Sequence, residues 1–176
     1  MSRPAMPDSS TDASDGATRG RSLVLGIGCR RGVSLEQIEV AVWAVLADVA
    51  RHDEAAHRAS TYIAEHVACI ATIDTKAHEP ALLAFCARHA LPLKVFCADE
   101  IAACLRKHPG LVQSPVVLAH ASVAGVCEPC ALLAAPGGRL VAAKRAYDGV
   151  TVAIADTRRQ AGIAAQQFIQ PPMRTP

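Results

Sequence analysis

The segment Gly26-Ile27-Gly28-Cys29-Arg30-Arg31-Gly32-Val33-Ser34 places glycines and two adjacent arginines just ahead of a helix start. Glycines let a ligand approach the backbone, and a helix N-terminus presents free N–H groups to an anion. Arg30 and Arg31 add forked cationic donors that match carboxylate or phosphate. An anion site is one reading of this segment; a tight turn with solvated arginines is the other. It is not the dinucleotide fingerprint, because the third glycine is out of place, and no Gly-Lys-Ser/Thr follows to make a P-loop. Asp74-Thr75-Lys76, with Glu79 close behind, is a second polar cluster. Lys76 could meet an anion, and Asp74 or Glu79 could serve as acid or base. Helix capping by Asp74 or Thr75 and dipole pairing by Glu79 account for the same residues without chemistry.

Cys127-Glu128-Pro129-Cys130 is a CxxC at an apparent helix start. Such a position can lower a thiol pKa and make the pair redox-active, or the pair could be half of a zinc site. No second CxxC and no His-x₃₋₅-His follows, and a thioredoxin-like motif belongs after the first strand. Small buried residues are the plainer reading. The seven histidines form no i, i+4 pair, and Ser122 lies in no GxSxG elbow, so neither a zincin nor a serine hydrolase is supported.

The elements that must position these groups are legible in part. Residues 1–21 are polar and poor in large apolar groups, which predicts a disordered tail. Leu23 to Gly28 reads as a buried strand. Ser34 followed by Gln37 is a capping-box pattern, and Leu35, Ile38, Val42, Val45, Leu46 and Val49 recur at helical spacing, so a helix spans about 34–50. Arg51 to Ala59 reads as loop or frayed helix. Val67–Ile73 is a second strand, Asp74–His78 a polar loop, and Glu79-Pro80 opens a second helix. Leu91–Cys97 is a third strand and Asp99–Lys107 a third helix, stopped by Pro109-Gly110. Pro115–Ala119 suits a further short strand and Cys127–Ala135 a helix. Arg139–Lys144 and Val150–Ala155 flank Asp148-Gly149 as a β-hairpin. Beyond it, residues 157–176 read as a mostly disordered tail, with one helical turn near Ile163. The alternation predicts a three-layer α/β domain over 22–156, with a mixed, partly parallel sheet and helices on both faces.

Composition narrows the function classes. The 176 residues carry a formal net charge of +2 and only 3% aromatics, which argues against nucleic acid by bulk charge or base stacking. No apolar run reaches the ~18 residues of a membrane span. Seven cysteines, odd in number and set mostly in apolar stretches, fit a reducing cytoplasm, and the N-terminus lacks the apolar core of a signal peptide.

Four segments together resemble the CobE/CbiG C-terminal domain family of cobalamin biosynthesis. Gly26 to Gly32 resembles its opening motif, and Thr72-Ile73-Asp74-Thr75-Lys76-Ala77-His78-Glu79-Pro80 its TIDxKxxEP-like segment. Gly125 to Leu133 is similar to its SVAEAAALL segment, and Lys144 with Val150 to Ala155 to its closing K…VTVAxA. The motifs occur in order and span about residues 22–156. The resemblance implies a role in making the corrin ring of vitamin B12. Larger CbiG relatives, which carry additional N-terminal sequence, open the δ-lactone of cobalt-precorrin-5A and release acetaldehyde. With its short leader, this chain resembles the stand-alone CobE type of the aerobic pathway.

Three functions follow as expectations. The first is binding of a corrin-ring intermediate, a precorrin or hydrogenobyrinic acid, whose many carboxylates suit a basic, glycine-rich loop. Its ligand-binding residues would be Gly28, Cys29, Arg30, Arg31, Gly32, Asp74, Thr75, Lys76, Glu128 and Lys144. The second is a precorrin hydrolase or isomerase, with Glu79 or Glu128 as general base and Lys76 stabilising negative charge. The third is a redox or metal module on Cys127 and Cys130. No cofactor or metal is demanded. Expected partners are a tetrapyrrole intermediate and other cobalamin-pathway enzymes. The family's closing segment often has a second lysine two residues after the first, where this chain has Ala146; Arg145 beside it could substitute, but a strand side chain there would face the other way. The CxxC cysteines replace small residues of the family segment.

Overall fold

The computed structural model describes residues 22–50, 59–111 and 125–157. The two tails, residues 51–58, the strand expected at 115–119 and the turn expected near Ile163 lie outside the described residues.

Strand β1 (Leu23–Cys29) is buried along its whole length, as its apolar run requires. Helix α1 (Leu35–Val49) starts where expected: Ser34 Oγ accepts the Gln37 N–H while Gln37 Oε1 accepts the Ser34 N–H, both halves of the capping box. Helix α2 (Ala59–His66) runs directly into β2 (Val67–Ile73). The sequence reading did not anticipate α2, because among its described side chains only Tyr62 and Ile63 join the core and they leave no apolar period to see. The polar loop after β2 folds as a 3₁₀ turn over Asp74–Lys76. Helix α3 (Pro80–Arg88) begins on its proline. Strand β3 is only Leu93–Phe96, and α4 (Ala98–Lys107) is followed by a 3₁₀ turn over Pro109–Leu111. Helix α5 (Cys127–Ala134) precedes the hairpin of β4 (Arg139–Tyr147) and β5 (Val150–Asp156), turned by Asp148-Gly149 at positive φ.

The sheet has five strands in the order β3-β2-β1-β5-β4. β1, β2 and β3 pair in parallel, and β5 is antiparallel to both β1 and β4. The expected mixed α/β sheet is therefore present. Alternate residues of β1 separate two cores. Leu23, Leu25, Ile27 and Cys29 face α1, α2 and α3. Val24 faces the other way, with Cys69 and Ala71 of β2, against α4 and α5. Helices thus cover both faces. On the second face alanines and cysteines of α5 lie close against β1: a Cβ on Gly26 would lie 1.8 Å from the Cys127 carbonyl oxygen. Only glycine lets α5 lie this near the centre of the sheet.

Candidate functional site

The carboxyl ends of β1, β2 and β3 lie at one edge of the sheet, where ligands of open α/β sheets bind. The β4–β5 turn reaches the same edge, since Cys29 pairs with Val150. Three loops therefore converge there: 30–34 after β1, 74–79 after β2, and the hairpin turn.

The first loop is held at two points. The Arg30 N–H donates to the Gly149 carbonyl at 2.8 Å, and the Gly32 N–H donates to Glu79 Oε1 at 2.8 Å. Gly32 has φ +77, a left-handed conformation that glycine adopts without strain. The N–H groups of Arg30, Gly32, Ser34 and Gln37 all have partners within the protein. What the loop offers outward is the side chains of Arg30 and Arg31, both exposed. The Arg30 stem packs over Gly149, with Cδ 3.3 Å from where a Cβ would stand.

Glu79 is buried and Lys76 nearly so, with Nζ 3.8 Å from Glu79 Oε2. Glu79 occupies the N-cap of α3 yet makes no cap hydrogen bond; its carboxylate crosses to Gly32 instead. Asp74 and Thr75 are exposed, and the Thr75 N–H donates to Asp74 Oδ1 at 2.6 Å, so Asp74 shapes its own turn and does not cap α3.

Gly28 links this corner to the α5 face. Its carbonyl accepts from Thr151 Oγ1 at 3.2 Å, and the Ile27 carbonyl accepts from Thr72 Oγ1 at 2.7 Å. Thr151 also bonds to the Cys127 thiol at the start of α5. One residue on, Glu128 Oε1 accepts the Lys144 backbone N–H at 2.9 Å. That donor is available because β4 breaks register with β5 between Ala142 and Arg145. Lys144 is exposed beside α5, whereas Arg145 reaches the opposite layer and pairs with Asp48 of α1. Arg145 and Lys144 therefore face different layers, as alternation along a strand requires.

The CxxC thiols lie inside the fold. Cys29, Cys127 and Cys130 are fully buried. Burial pushes Cys127 up to about 11 and Cys130 to about 12, the latter helped by its neighbours Cys127 and Cys104. Burial outweighs the thiolate stabilisation expected of a helix start, so both remain protonated. Both cysteines lie on the buried side of α5, Cys130 within the core between α5 and the sheet, which argues against the redox reading. The Cys29 side chain likewise belongs to the core under α1, with its thiol raised by burial.

Two groups at this edge carried no functional signal in the sequence. Gln37 Nε2 donates to Asp148 Oδ2 at 2.6 Å and to the Asp148 carbonyl at 3.2 Å. Gln37 reads locally as a cap and Asp148 as a turn residue; their meeting locks the hairpin to the first loop.

An open mixed sheet, with Arg30, Arg31 and Lys76 on the loops that follow its parallel strands, defines a small α/β domain. The cobalamin synthesis G C-terminus family matches residues 23–155, and the chain belongs to it as a cobalamin biosynthesis protein of the CbiG/CobE type. The crystal structure of the cobalamin biosynthesis protein chiG from Agrobacterium tumefaciens str. C58 is similar at 31% identity and TM-score 0.53, covering 78% of this chain and 99% of that one. The 1.7 Å crystal structure of CobE, a protein from the cobalamin (vitamin B12) biosynthetic pathway, is similar at 30% identity and TM-score 0.58, covering 77% and 89%. Among curated protein sequences none matches significantly.

Proposed function

We propose that the chain binds a corrinoid intermediate of cobalamin biosynthesis at the carboxyl ends of β1 and β2. The observation that carries this reading is the Arg30–Gly32 turn, fastened to Gly149 and to Glu79 with both arginines directed outward. Corrin intermediates carry several carboxylates, and two adjacent guanidinium forks match them with charge-assisted hydrogen bonds. Lys144 adds a cationic side chain on the α5 side, while Asp74 and Thr75 rim the second loop. Gly28 and Cys29 contribute backbone and packing only, since both are buried. The two candidate general bases, Glu79 and Glu128, each accept a backbone N–H from another segment of the chain. That engagement favours binding over a lactone-opening hydrolase, and a carrier would then pass its ligand to other enzymes of the pathway. The free cysteines fit the reducing cytoplasm, and no helix among the described residues is long and apolar enough to cross a membrane.

Titration with hydrogenobyrinic acid, followed by absorbance and product mass, tests the proposal. Wild-type protein should bind with an affinity that falls as salt rises, and Arg30→Ala or Arg31→Ala should each weaken it roughly ten-fold or more. Unchanged affinity in both variants would remove the site. A change of ligand mass at substoichiometric protein would make the chain an enzyme.

A further inference from the structure

We propose that Glu79 is a positioning residue that presets the Arg30–Gly32 turn as a hydrogen-bond acceptor.

The geometry that leads here is unusual for a helix N-cap. A side-chain acceptor at that position ordinarily satisfies the free N–H groups of its own helix. Glu79 leaves α3 uncapped and spends its Oε1 on Gly32, 47 residues earlier in the chain. Pro80 explains the direction. A residue before proline is restricted to extended backbone, and Glu79 sits there at φ −68, ψ 118. The Glu79-Pro80 pair therefore both starts α3 and aims the carboxylate across to the first loop.

A buried carboxylate is costly unless its charge and lone pairs are used. Both oxygens are used here: Oε1 takes the Gly32 N–H, and Oε2 faces Lys76 Nζ at 3.8 Å. Lys76 is itself only 14% exposed, so it serves the pair more than the solvent. The consequence falls on Arg31. Its two neighbours are each tied to another element, Arg30 to the hairpin turn and Gly32 to Glu79. A turn fixed at both ends holds its arginines ready, and a ligand then binds without ordering the loop.

An acceptor needs an oxygen at the right reach, whereas a base needs a negative charge. Glu79→Gln keeps the oxygen and the reach but loses the charge. Glu79→Asp keeps the charge but is one methylene too short. Two readouts follow both variants: amide hydrogen exchange at Gly32, and affinity for hydrogenobyrinic acid. The second rests on the binding reading above; the first does not. The expected result is Gly32 protection and affinity within about three-fold of wild type in Glu79→Gln, with exchange faster and affinity weaker by about ten-fold in Glu79→Asp. The reverse order, equal loss in both or full retention in both would overturn the assignment. Should wild-type protein fail to bind hydrogenobyrinic acid, the corrinoid reading falls and the exchange comparison at Gly32 still decides the role of Glu79.

Discussion

Replacing Gly26 by alanine should lift helix α5 off the sheet. The new Cβ would stand 1.8 Å from the Cys127 carbonyl oxygen, 2.8 Å from its carbonyl carbon and 3.0 Å from the Ala131 Cβ. Two of these atoms are helix backbone, so no side chain can swing aside. α5 or β1 must retreat by about 1.2 Å or more to restore a tolerable contact, and overpacking of a well-filled core costs 1–3 kcal/mol or more. The upper end applies, because the contact lies midway along a strand fully buried on both faces. A loss of about 3 kcal/mol corresponds to a Tm lower by roughly 10 °C for a domain of this size. The same movement would draw Glu128 from the Lys144 N–H. Gly32→Ala provides the comparison. It meets nothing within 4 Å and is strained only by its φ of +77, which costs roughly 1–2 kcal/mol. Urea unfolding of the two variants measures both effects. A Gly26→Ala protein within about 0.5 kcal/mol of wild type would refute the packing of α5 against β1.

Stability should fall in alkaline solution through the buried thiols. Cys127 and Cys130 titrate near 9.0 when unfolded but are raised to about 11 and about 12 in the fold. Between those values the unfolded chain holds fewer protons, so each thiol lowers stability by up to about 1.4 kcal/mol per pH unit, beginning near pH 9. Urea unfolding from pH 8 to 10.5 should show this slope, reduced in Cys127→Ala and Cys130→Ala; equal slopes in all three proteins would count against the burial. On β4, Lys144→Ala should weaken hydrogenobyrinic acid binding several-fold, whereas Arg145→Ala should leave it unchanged, because Arg145 is paired with Asp48 in the opposite layer. Isothermal titration of both variants checks this, and the opposite pattern would place the basic face of β4 on the α1 side.

Much of this molecule was legible along the chain because the signals are local. An apolar run ending in glycine marks β1, Ser34 with Gln37 marks the start of α1, Pro80 marks α3, and Asp148-Gly149 marks the hairpin. Each signal depends on backbone preferences or on partners within one helical turn, so residue spacing carries it. Arg30, Arg31 and Lys76 could be selected as candidates for the same reason: their types and their place after a strand are visible without knowing the neighbours.

The contacts around those residues join segments distant in the chain. Glu79 reads as a dipole partner of its own helix, yet it meets Gly32 across 47 residues. Gln37 completes a cap and also grips Asp148, 111 residues away. Glu128 meets a backbone N–H freed by irregular pairing in β4. The CxxC looks reactive at a helix start until α5 is laid over Gly26 and both thiols are buried. None of these has a sequence period, because each depends on which strands lie side by side. The order β3-β2-β1-β5-β4, with β1 and β2 parallel and β5 antiparallel to β1, sets the loops after β1 and β2 and the β4–β5 turn side by side at one edge of the sheet. Strand order is fixed by how two apolar faces are buried together, a property of the whole chain that no short segment encodes.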